Sequence, residues 1–408
     1  MKKFKYRAMT KNGERIEGQY EANSKDDVLR MININGYYPL KIEEIRESKE
    51  IEFSFLDKVT TKDLAIFCRQ FYTMLDAGVS IVNALDILAT ELPNKKLREI
   101  LRDMDEDVKK GELLSASMVK HRKYFPQLLI KMIESGEISG NMDEMMLRMA
   151  NHFEKENKIN NKIKSAMTYP SVLSVVALGA VMFIMTFVMP TFIGMFEEEG
   201  IELPSITKFT IGASKFLSSN VVLIIITLAI LAVLFNLYKK SSAGSNIISK
   251  LKLSLPIIGE LNKKIIVSRF TRTLSTLLSS GVSLIHALPT VAGVLENKIA
   301  EDSILKIRED VVRGEALSKS IKEEEIFPNM LASMIKIGEE SGSLDDILNK
   351  TADFYDEEVE QTIQTTTALI EPLLIVVMGL VIGLIIISIM LPMHYRYYYK
   401  SYYEPHYY

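Results

Sequence analysis

The chain has a single cysteine, Cys68, so no disulfide can form within it, which fits a reducing compartment for its soluble parts. Sequences that mark common catalytic sites are also missing. There is no Gly-x-x-x-x-Gly-Lys-Ser/Thr run for nucleotide phosphates, and neither a His-Glu-x-x-His run nor a cysteine pair for zinc. The five histidines are scattered along the chain, as surface or packed residues would be. We therefore expect no enzyme activity, no cofactor and no bound metal.

Positive charge is not in excess either. The 49 lysines and arginines are outnumbered by 52 acidic residues, which gives a net charge of −3. Without a basic stripe the chain has no general attraction to nucleic acid, so no nucleic-acid partner is expected. The first residues, Met1-Lys2-Lys3, are not followed by the apolar run that a signal peptide requires. The N-terminal segment is therefore predicted to fold and to stay inside the cell.

Long apolar runs are present at three places: residues 171–189, 221–237 and 373–390. None contains an Asp, Glu, Lys, Arg or His. Each has the length of roughly 17–20 residues that crosses the hydrocarbon of a bilayer. Prolines bracket the first and the third run: Pro170 and Pro190, Pro372 and Pro392. One such run would fit a buried soluble helix, but three in one chain predict three transmembrane helices.

Lysines near the ends of the first two spans indicate the orientation, since cytoplasmic flanks carry the excess of Lys and Arg. The basic flanks precede the first span and follow the second: Lys155, Lys158, Lys162 and Lys164, then Lys239, Lys240, Lys250 and Lys252. Between these spans, residues 190–220 contain two lysines against four glutamates. Residues 60–168 and 238–370 are therefore predicted to be cytoplasmic, whereas 190–220 and the C-terminal tail 391–408 are predicted to lie outside.

The third span taken alone argues weakly for the reverse orientation. Residues 352–371, which precede it, contain no Lys or Arg, while Arg396 and Lys400 follow it. The first two spans nevertheless decide the prediction, because a folded domain between the second and third spans is not easily moved across the membrane.

Residues 1–45 have the pattern of a small α+β unit with the order ββαβ. The dipeptide Asn12-Gly13 separates two candidate strands and is the strongest short signal for a hairpin. A helix and a third strand are predicted to follow. Residues 46–59 are charged and mixed in character, and we predict that they form a linker.

An internal repeat relates the two predicted cytoplasmic parts. The matching pieces lie 203 or 202 residues apart and keep their order: Phe67-x-Arg69 with Phe270-x-Arg272, Gly78-Val79-Ser80 with Gly281-Val282-Ser283, Gly111-Glu112 with Gly314-Glu315, Gly136-Glu137-Ile138-Ser139-Gly140 with Gly338-Glu339-Glu340-Ser341-Gly342, and Pro170 with Pro372. Because the spacing continues to the prolines beside the spans, the repeated unit consists of a cytoplasmic module and the span that follows it.

Each module has the pattern of a helical bundle. Apolar residues fall at helical spacing before Gly78 and before Gly281, and both glycines stand where a left-handed helix C-cap is expected. Gly111 and Gly314 are predicted to end another helix. Neither module has a continuous strand pattern. We therefore predict a mainly α protein with two homologous modules of about six helices each.

These motifs resemble those of the type II secretion F family, whose pilus member is called PilC. The residues that carry the resemblance lie in both modules and beside the spans: Phe67 to Val79, the two Gly-Glu-x-Ser-Gly elements, Tyr169-Pro170, Met189 to Phe192, Leu203-Pro204, Leu255 to Gly259 and Glu371-Pro372. The match covers nearly the whole chain, including the N-terminal unit. Ser80 and Ser283 stand where the family often has proline, and the tyrosine-rich tail has no family role that we can assign.

The resemblance implies a platform protein that crosses the bacterial cytoplasmic (inner) membrane several times. Such a platform would serve the assembly of a type IV pilus or of a type II secretion pseudopilus. The implied partners are pilin or pseudopilin subunits, an assembly or retraction ATPase, other inner-membrane assembly proteins and further copies of the chain in a homo-oligomer. The ATPase would move the modules, and the spans would pass that movement to a pilin.

The Gly-Glu-x-Ser-Gly elements have two interpretations. One is a phosphate-binding loop. The other, which we favour, is a tight turn between helices that is capped by the acid and the serine. The element occurs in both modules, and this favours the structural role because a ligand site rarely needs two copies.

Two features near the third span have functional interpretations as well. An acidic stretch precedes the span and is either a solvated helix face or a docking surface for a basic face of the ATPase: Asp353, Asp356, Glu357, Glu358 and Glu360. A weak Ca²⁺ or Mg²⁺ site is a further interpretation of these carboxylates, which we do not adopt. Within the span, Gly379 and Gly383 are predicted to pack against another span, in the same chain or in a second copy, because small residues let helices approach closely.

Other functions are less well supported by the sequence. A platform for a DNA-uptake (competence) pseudopilus would have the same sequence features. A transporter is disfavoured, because transport of polar solutes usually leaves ionisable residues in the spans. These spans offer only hydroxyl groups such as Ser174, Thr186, Thr227 and Ser388.

Overall fold

The computed structural model describes residues 2–9, 15–22, 25–44, 58–198, 203–256 and 258–403. The chain divides into two units, Met1–Lys58 and Val59–Tyr408. Most of the predicted linker 46–59 lies outside the described residues, as do the predicted turn at Asn12-Gly13 and the last five residues of the predicted tail.

The N-terminal unit is a three-stranded antiparallel sheet with one helix. Strands β1 (Lys2–Met9) and β2 (Arg15–Ala22) are followed by helix α1 (Lys25–Ile34) and strand β3 (Tyr38–Glu44), and β1 lies in the middle of the sheet. Among the side chains that the structure describes in this unit, the buried core includes Ala8, Ala22, Val28 and Ile32. The predicted ββαβ order is confirmed.

The second unit begins with a module of short helices: α2 (Thr61–Asp76), α3 (Ile81–Glu91), α4 (Lys95–Lys109), α5 (Leu114–Lys120) and α6 (Gln127–Ser139). Local caps define several of the starts. The Thr60 side chain accepts a hydrogen bond from the backbone N–H of Asp63, and the Asp63 carboxylate accepts one from the N–H of Thr60, which is a capping box. Ser80 and Asn94 cap α3 and α4 through their side chains.

Long helices lead from the first module into the membrane segments. Helix α7 (Met142–Phe183) continues through a π-helical turn (Ile184–Val188) into α8 (Met189–Glu198). Helix α9 (Ser205–Lys240) follows, with non-helical backbone at Asn220, and α10 (Ser242–Ser254) comes next. Of the residues that the structure describes, three helical stretches are long and apolar enough to cross a membrane: Met142–Met195, Ser205–Lys239 and Leu344–His394. They contain the three predicted spans.

The second module repeats the first with α11 (Ile258–Ser279), α12 (Leu284–Val294), α13 (Lys298–Val312), α14 (Leu317–Glu323), α15 (Asn329–Ser341) and α16 (Leu344–Tyr403). Helices α2–α7 thus correspond to α11–α16, and the last helix of each set runs on into a span. Equivalent aromatic pairs fill the two cores. The ring centroids of Phe67 and Phe125 are 6.1 Å apart, and those of Phe270 and Phe327 are 5.5 Å apart. The mainly α fold with two repeated modules is confirmed.

Pro170 and Pro372 lie inside α7 and α16 and do not end them. A proline removes one backbone N–H from a helix, but membrane helices tolerate it where neighbouring groups satisfy the backbone. The predicted boundaries between module and span, at 168–171 and 370–373, therefore fall within continuous helices.

The spanning helices contact one another near Met189 and Ser388. The hydroxyl of Thr207 donates to the carbonyl oxygen of Ser388 at 2.9 Å, and the hydroxyls of Thr210 and Ser388 are hydrogen-bonded at 2.8 Å. The hydroxyl of Ser214 donates to the carbonyl of Met185 in the π-helical turn. Such contacts between helices stabilise their association in lipid. The segment predicted as the outer loop, 190–220, is thus largely helical where the structure describes it.

Candidate functional site

Both Gly-Glu-x-Ser-Gly elements place a carboxylate at the start of another helix in the same module. Glu137 accepts a hydrogen bond from the backbone N–H of Leu114 at 2.5 Å and another from the hydroxyl of Ser115, at the start of α5. Glu339 makes the same contacts at the start of α14, at 2.7 Å to the backbone N–H and 2.5 Å to the serine hydroxyl. The carboxylate occupies the position where a helix N-terminus attracts an anion. A phosphate group would have to displace it, so the geometry supports a structural role. However, the acid caps α5 or α14 and not, as the sequence had suggested, the turn of its own element.

The glycines of these elements have two separate roles. Gly140 and Gly342 have φ values of 76° and 69° and end α6 and α15 in the left-handed region. Gly136 and Gly338 lie where these helices meet the next one. A Cβ added to Gly338 would stand 2.9 Å from the Cα of Leu344, and one added to Gly136 would crowd the first turn of α7. A Cβ at Gly338 would therefore force the two helices apart, whereas one at Gly136 would require its neighbours to shift by a few tenths of an ångström.

The remaining predicted motif residues also shape the modules. Gly78 and Gly281 have φ values of 82° and 81° just after α2 and α11, and Gly111 and Gly314 have φ values of 92° and 91° just after α4 and α13. The acids that follow form surface ion pairs. Glu112 lies 2.6 Å from Lys120, and Glu315 lies 2.7 Å from Lys319. These residues do not converge on a binding site.

Arg69 on α2 ties the first module to the helix that leads into the membrane. Its Nε lies 2.7 Å from Oε1 of Glu154 on α7, and one Nη lies 2.6 Å from Oδ1 of Asn151. A guanidinium is suited to this arrangement because its planar fork makes two directed bonds to neighbouring oxygens.

Arg272 on α11 makes the equivalent contact in the second module. One of its Nη atoms lies 2.9 Å from Asp353 and 2.5 Å from Asp356, both on α16. The acceptors on α16 stand at the positions equivalent to Asn151 and Glu154. Sequence reasoning matched the two arginines but missed this role. The sequence does contain a signal for this role, because Asp353 and Asp356 follow Asn151 and Glu154 by 202 residues, the same spacing that relates the repeated motifs.

Helices α7 and α16 pack along each other with opposite charges, and we call this contact the seam. Lys155 on α7 lies 2.5 Å from Asp353 on α16. Lys158 lies 3.2 Å from Glu360, and Lys162 also pairs with Glu360. The seam therefore joins the two modules where they approach the spans.

Equivalent residues of the two copies meet at the seam. Lys158 faces Glu360, and the hydroxyl of Tyr169 donates to Oε1 of Glu371 at 3.2 Å, a pair separated by 202 residues. Contact between equivalent positions is what a two-fold relation between two copies produces. The equivalent residues carry opposite charges here, since α7 has lysines where α16 has acids. The two helices therefore attract each other.

The acidic stretch mostly faces its own chain. Asp356 binds the arginine of α11, Glu358 lies 2.9 Å from Lys264, and Glu360 binds two lysines of α7. Of the four residues predicted to dock a partner, Glu357 alone has an exposed side chain. Of these four residues, only Glu357 is therefore placed where it could contact a partner. The described residues contain no group of three or more His, Cys, Asp or Glu side chains that would hold a metal ion.

A cleft and a cavity lie along the contact between the two modules. The cleft has a volume of about 840 Å³, lies between α7 and α16, and is lined by Lys158, Glu360 and several amide and hydroxyl side chains. The cavity has a volume of about 250 Å³ and is lined by both modules, including His152 and Arg272. The contact is not polar throughout, since the buried apolar residues of the two modules form one continuous cluster.

Gly379 and Gly383 have open space around them. A Cβ added at either position would meet no atom within 4 Å beyond the helix itself. Within one chain these glycines do not pack against another described span. Packing between copies stays a prediction.

Comparison with protein families gives matches along most of the chain. The model described as type II secretion system (T2SS), protein F matches residues 67–190 and 270–392, one match in each copy of the repeat. The model described as type II secretion system protein F, N-terminal domain matches residues 1–43. The duplicated unit and the N-terminal unit each have a counterpart among known families.

Curated relatives match over nearly their full length. The type IV pilus assembly protein PilC of Thermus thermophilus is 36% identical over 380 residues, which cover 92% of this chain and 93% of that protein. PilC of Myxococcus xanthus is 34% identical over 92% of this chain and 90% of that protein. The type II secretion system protein F of Vibrio cholerae is 29% identical over 93% of this chain and 94% of that protein.

Proposed function

Because the chain belongs to the type II secretion system protein F family, we propose that it is the inner-membrane platform protein of a type IV pilus or type II secretion machine. The similar proteins carry the names of pilus assembly and secretion proteins, and the match extends through both modules. The three apolar helical stretches fit a protein of the bacterial inner membrane. In this role the chain is a structural component and not an enzyme.

Both modules face the cytoplasm, and the C-terminus lies outside. The seam supports this placement, because Lys155 and Asp353 belong to different modules and are in contact, which requires both modules on one side. The seam also gives a reason for the missing lysines before the third span. The acids of that flank pair with the lysines of α7, so the two flanks act together as one charged surface.

The platform relays movement from an assembly or retraction ATPase to pilin or pseudopilin subunits in the bilayer. The observation that carries this proposal is the continuity of α7 and α16, which run without a break from the module cores into the spans. A continuous helix passes on a tilt or a shift of the module to its membrane half.

Further copies of the chain and other inner-membrane assembly proteins are the remaining partners. The open surface beside Gly379 and Gly383 is suited to a helix from a second copy, since small residues permit close approach. Among the alternatives, a competence pseudopilus uses the same geometry. A transporter is not supported, because hydroxyls of the spans such as Ser174 and Ser388 bond to the backbone of their own helix.

Photo-crosslinking in cells tests the proposed partners. A photoreactive residue is placed at an exposed site of each module, Ile138 and Glu340, and at Leu380 on the third span. We expect an assembly ATPase among the products from a module position and a pilin or pseudopilin among those from Leu380. The buried position Phe67 serves as the control that yields neither. If no position captured an ATPase or a pilin, the relay would be refuted.

A further inference from the structure

Helix α10 leaves the second span through a sharp corner. Ser241, between α9 and α10, has extended backbone with φ −73° and ψ 147°. A Cβ added to Gly244 would stand 2.0 Å from the carbonyl oxygen of Tyr238, so the first turn of α10 lies directly against the last turn of α9. The helix therefore begins within a few residues of the end of the second predicted span.

One face of α10 is fixed to the second module. Ser249 is buried, and its hydroxyl accepts a hydrogen bond from the backbone N–H of Lys298 at 3.0 Å. Leu253 packs against the common core, and the amide of Asn262 donates to the carbonyl oxygen of Lys252 at 3.2 Å. Helix α10 thus moves with this module.

The opposite face of α10 is apolar and open. Ile247 and Leu251 on this face are 57% and 55% exposed. The chain then continues through Leu255, the residue after the helix, and Ile258, the first residue of α11, which are 39% and 43% exposed. At about 100° per residue, Ile247 and Leu251 lie above one another and roughly opposite Ser249. We call these four exposed residues the α10 stripe.

Basic side chains border this stripe. On the same helical wheel Lys250 lies about 60° from Ile247 on one side of the stripe, and Lys252 lies about 100° from Leu251 on the other side, nearer the buried face; both are exposed. A helix with an apolar face between two lysines is typical of helices that lie in the plane of a membrane surface, where lysine stems reach back to the headgroups.

We propose that the α10 stripe inserts into the boundary between headgroups and acyl chains of the cytoplasmic leaflet, with Lys250 and Lys252 on the phosphates of anionic lipids. Three observations favour lipid as the occupant. The helix begins where a spanning helix ends, its exposed face is apolar, and its borders are basic, which suits anionic headgroups. Helix α10 also lies outside both matches to the repeated family model, so it is no part of the duplicated unit.

The consequence is that the second module keeps a fixed height above the bilayer. Its α10 stripe anchors it at the surface, in addition to the spans. The proposal goes beyond the relay and does not depend on it, since it requires only that α9 crosses the membrane.

Lipid quenching of a fluorescent label tests the insertion. The full chain, with Cys68→Ala, carries one new cysteine at Ile247, Leu251 or Asn246 and is placed as single copies in nanodiscs of phosphatidylcholine and phosphatidylglycerol. Asn246 is exposed on α10 but lies off the stripe. We expect spin-labelled lipids to quench the labels at 247 and 251 several-fold more than the label at 246. Equal quenching at all three sites would overturn the proposal. It would also be overturned if neither lipid nor aqueous quenchers reached the labels at 247 and 251, because protein would then cover the stripe.

Charge reversal tests the lysines in the same assay. The pair Lys250→Glu and Lys252→Glu is expected to reduce quenching at position 247 in discs that contain phosphatidylglycerol. Lys336→Glu, on an exposed part of α15, is the matched control and is expected to change nothing. Unchanged quenching in the double variant would overturn the assignment of anionic lipid.

Discussion

Glu137 and Glu339 show, at the scale of single residues, how the duplicated motif stabilises its module. The helices that they cap, α5 and α14, have seven residues each, and neither receives a side-chain cap from the residue that precedes it. Helices this short have few internal hydrogen bonds and depend on contacts from outside. A glutamate from more than 20 residues further along the chain supplies the missing cap.

Removing this cap is expected to destabilise the module. In Glu137→Ala the backbone N–H of Leu114 and the Ser115 hydroxyl lose a charged acceptor, which costs about 1–3 kcal/mol of unfolding free energy. Glu340→Ala is the control, because Glu340 is 67% exposed and is expected to change the free energy by less than about 0.5 kcal/mol. Denaturation of the purified full chain in detergent measures both. An equal effect of the two substitutions would show that Glu137 caps nothing.

The only cysteine is expected to be inert in the folded protein. Cys68 is fully buried, and burial raises the pKa of its thiol well above the ordinary value. Because the thiolate is the reactive form, a raised pKa leaves less of it at any given pH. Alkylation by a maleimide is expected to stay slow up to about pH 8.5, where a free thiol is half ionised. Rapid labelling of the folded chain at pH 8, as fast as that of an Ile138→Cys variant, would contradict this.

At the scale of helices, the seam shows what the sequence does and does not predict. Periodicity, glycines and repeated motifs predict the helices of each module because those signals are local. The pairing of Lys158 with Glu360 is not local. Each charge has many possible partners, and only the packing of α7 on α16 selects among them. For that reason the sequence left the acidic stretch as either a solvated helix face or a docking surface, although most of it meets lysines and an arginine of its own chain.

Reversing one charge at the seam is expected to weaken it. Glu360→Lys would face Lys158 and Lys162, and exposed pairs of this kind contribute about 0.2–1 kcal/mol each. The measurement is the rate at which a short bis-maleimide joins cysteines at Tyr169 and Glu371, whose side chains meet in the folded chain, and this rate should fall several-fold. Reversing both lysines as well should restore it. Glu357→Lys is the control, because Glu357 is exposed. If it slowed the crosslink as much as Glu360→Lys, specific pairing would be disproved.

At the scale of the whole molecule, the sequence predicts the three spans but not the continuity of the helices that enter them. The three spans are recognised from composition alone, because their apolar runs are long and contain no ionisable residue. Pro170 and Pro372 mark the positions where two of these runs begin. The continuity of α7 and α16 through those prolines was not predictable, since proline usually breaks a soluble helix. The exposed stripe of α10 was not predicted either, because the sequence alone does not show that the opposite face of this helix is buried.

The placement of both modules on the cytoplasmic side is the claim on which the relay depends. Cysteines at the equivalent exposed positions Ile138 and Glu340, in a chain with Cys68→Ala, report it through labelling with a membrane-impermeant maleimide. Both should react in inverted membrane vesicles and neither in intact spheroplasts. Labelling of the two positions from opposite sides of the membrane would contradict the seam, the orientation and the relay together.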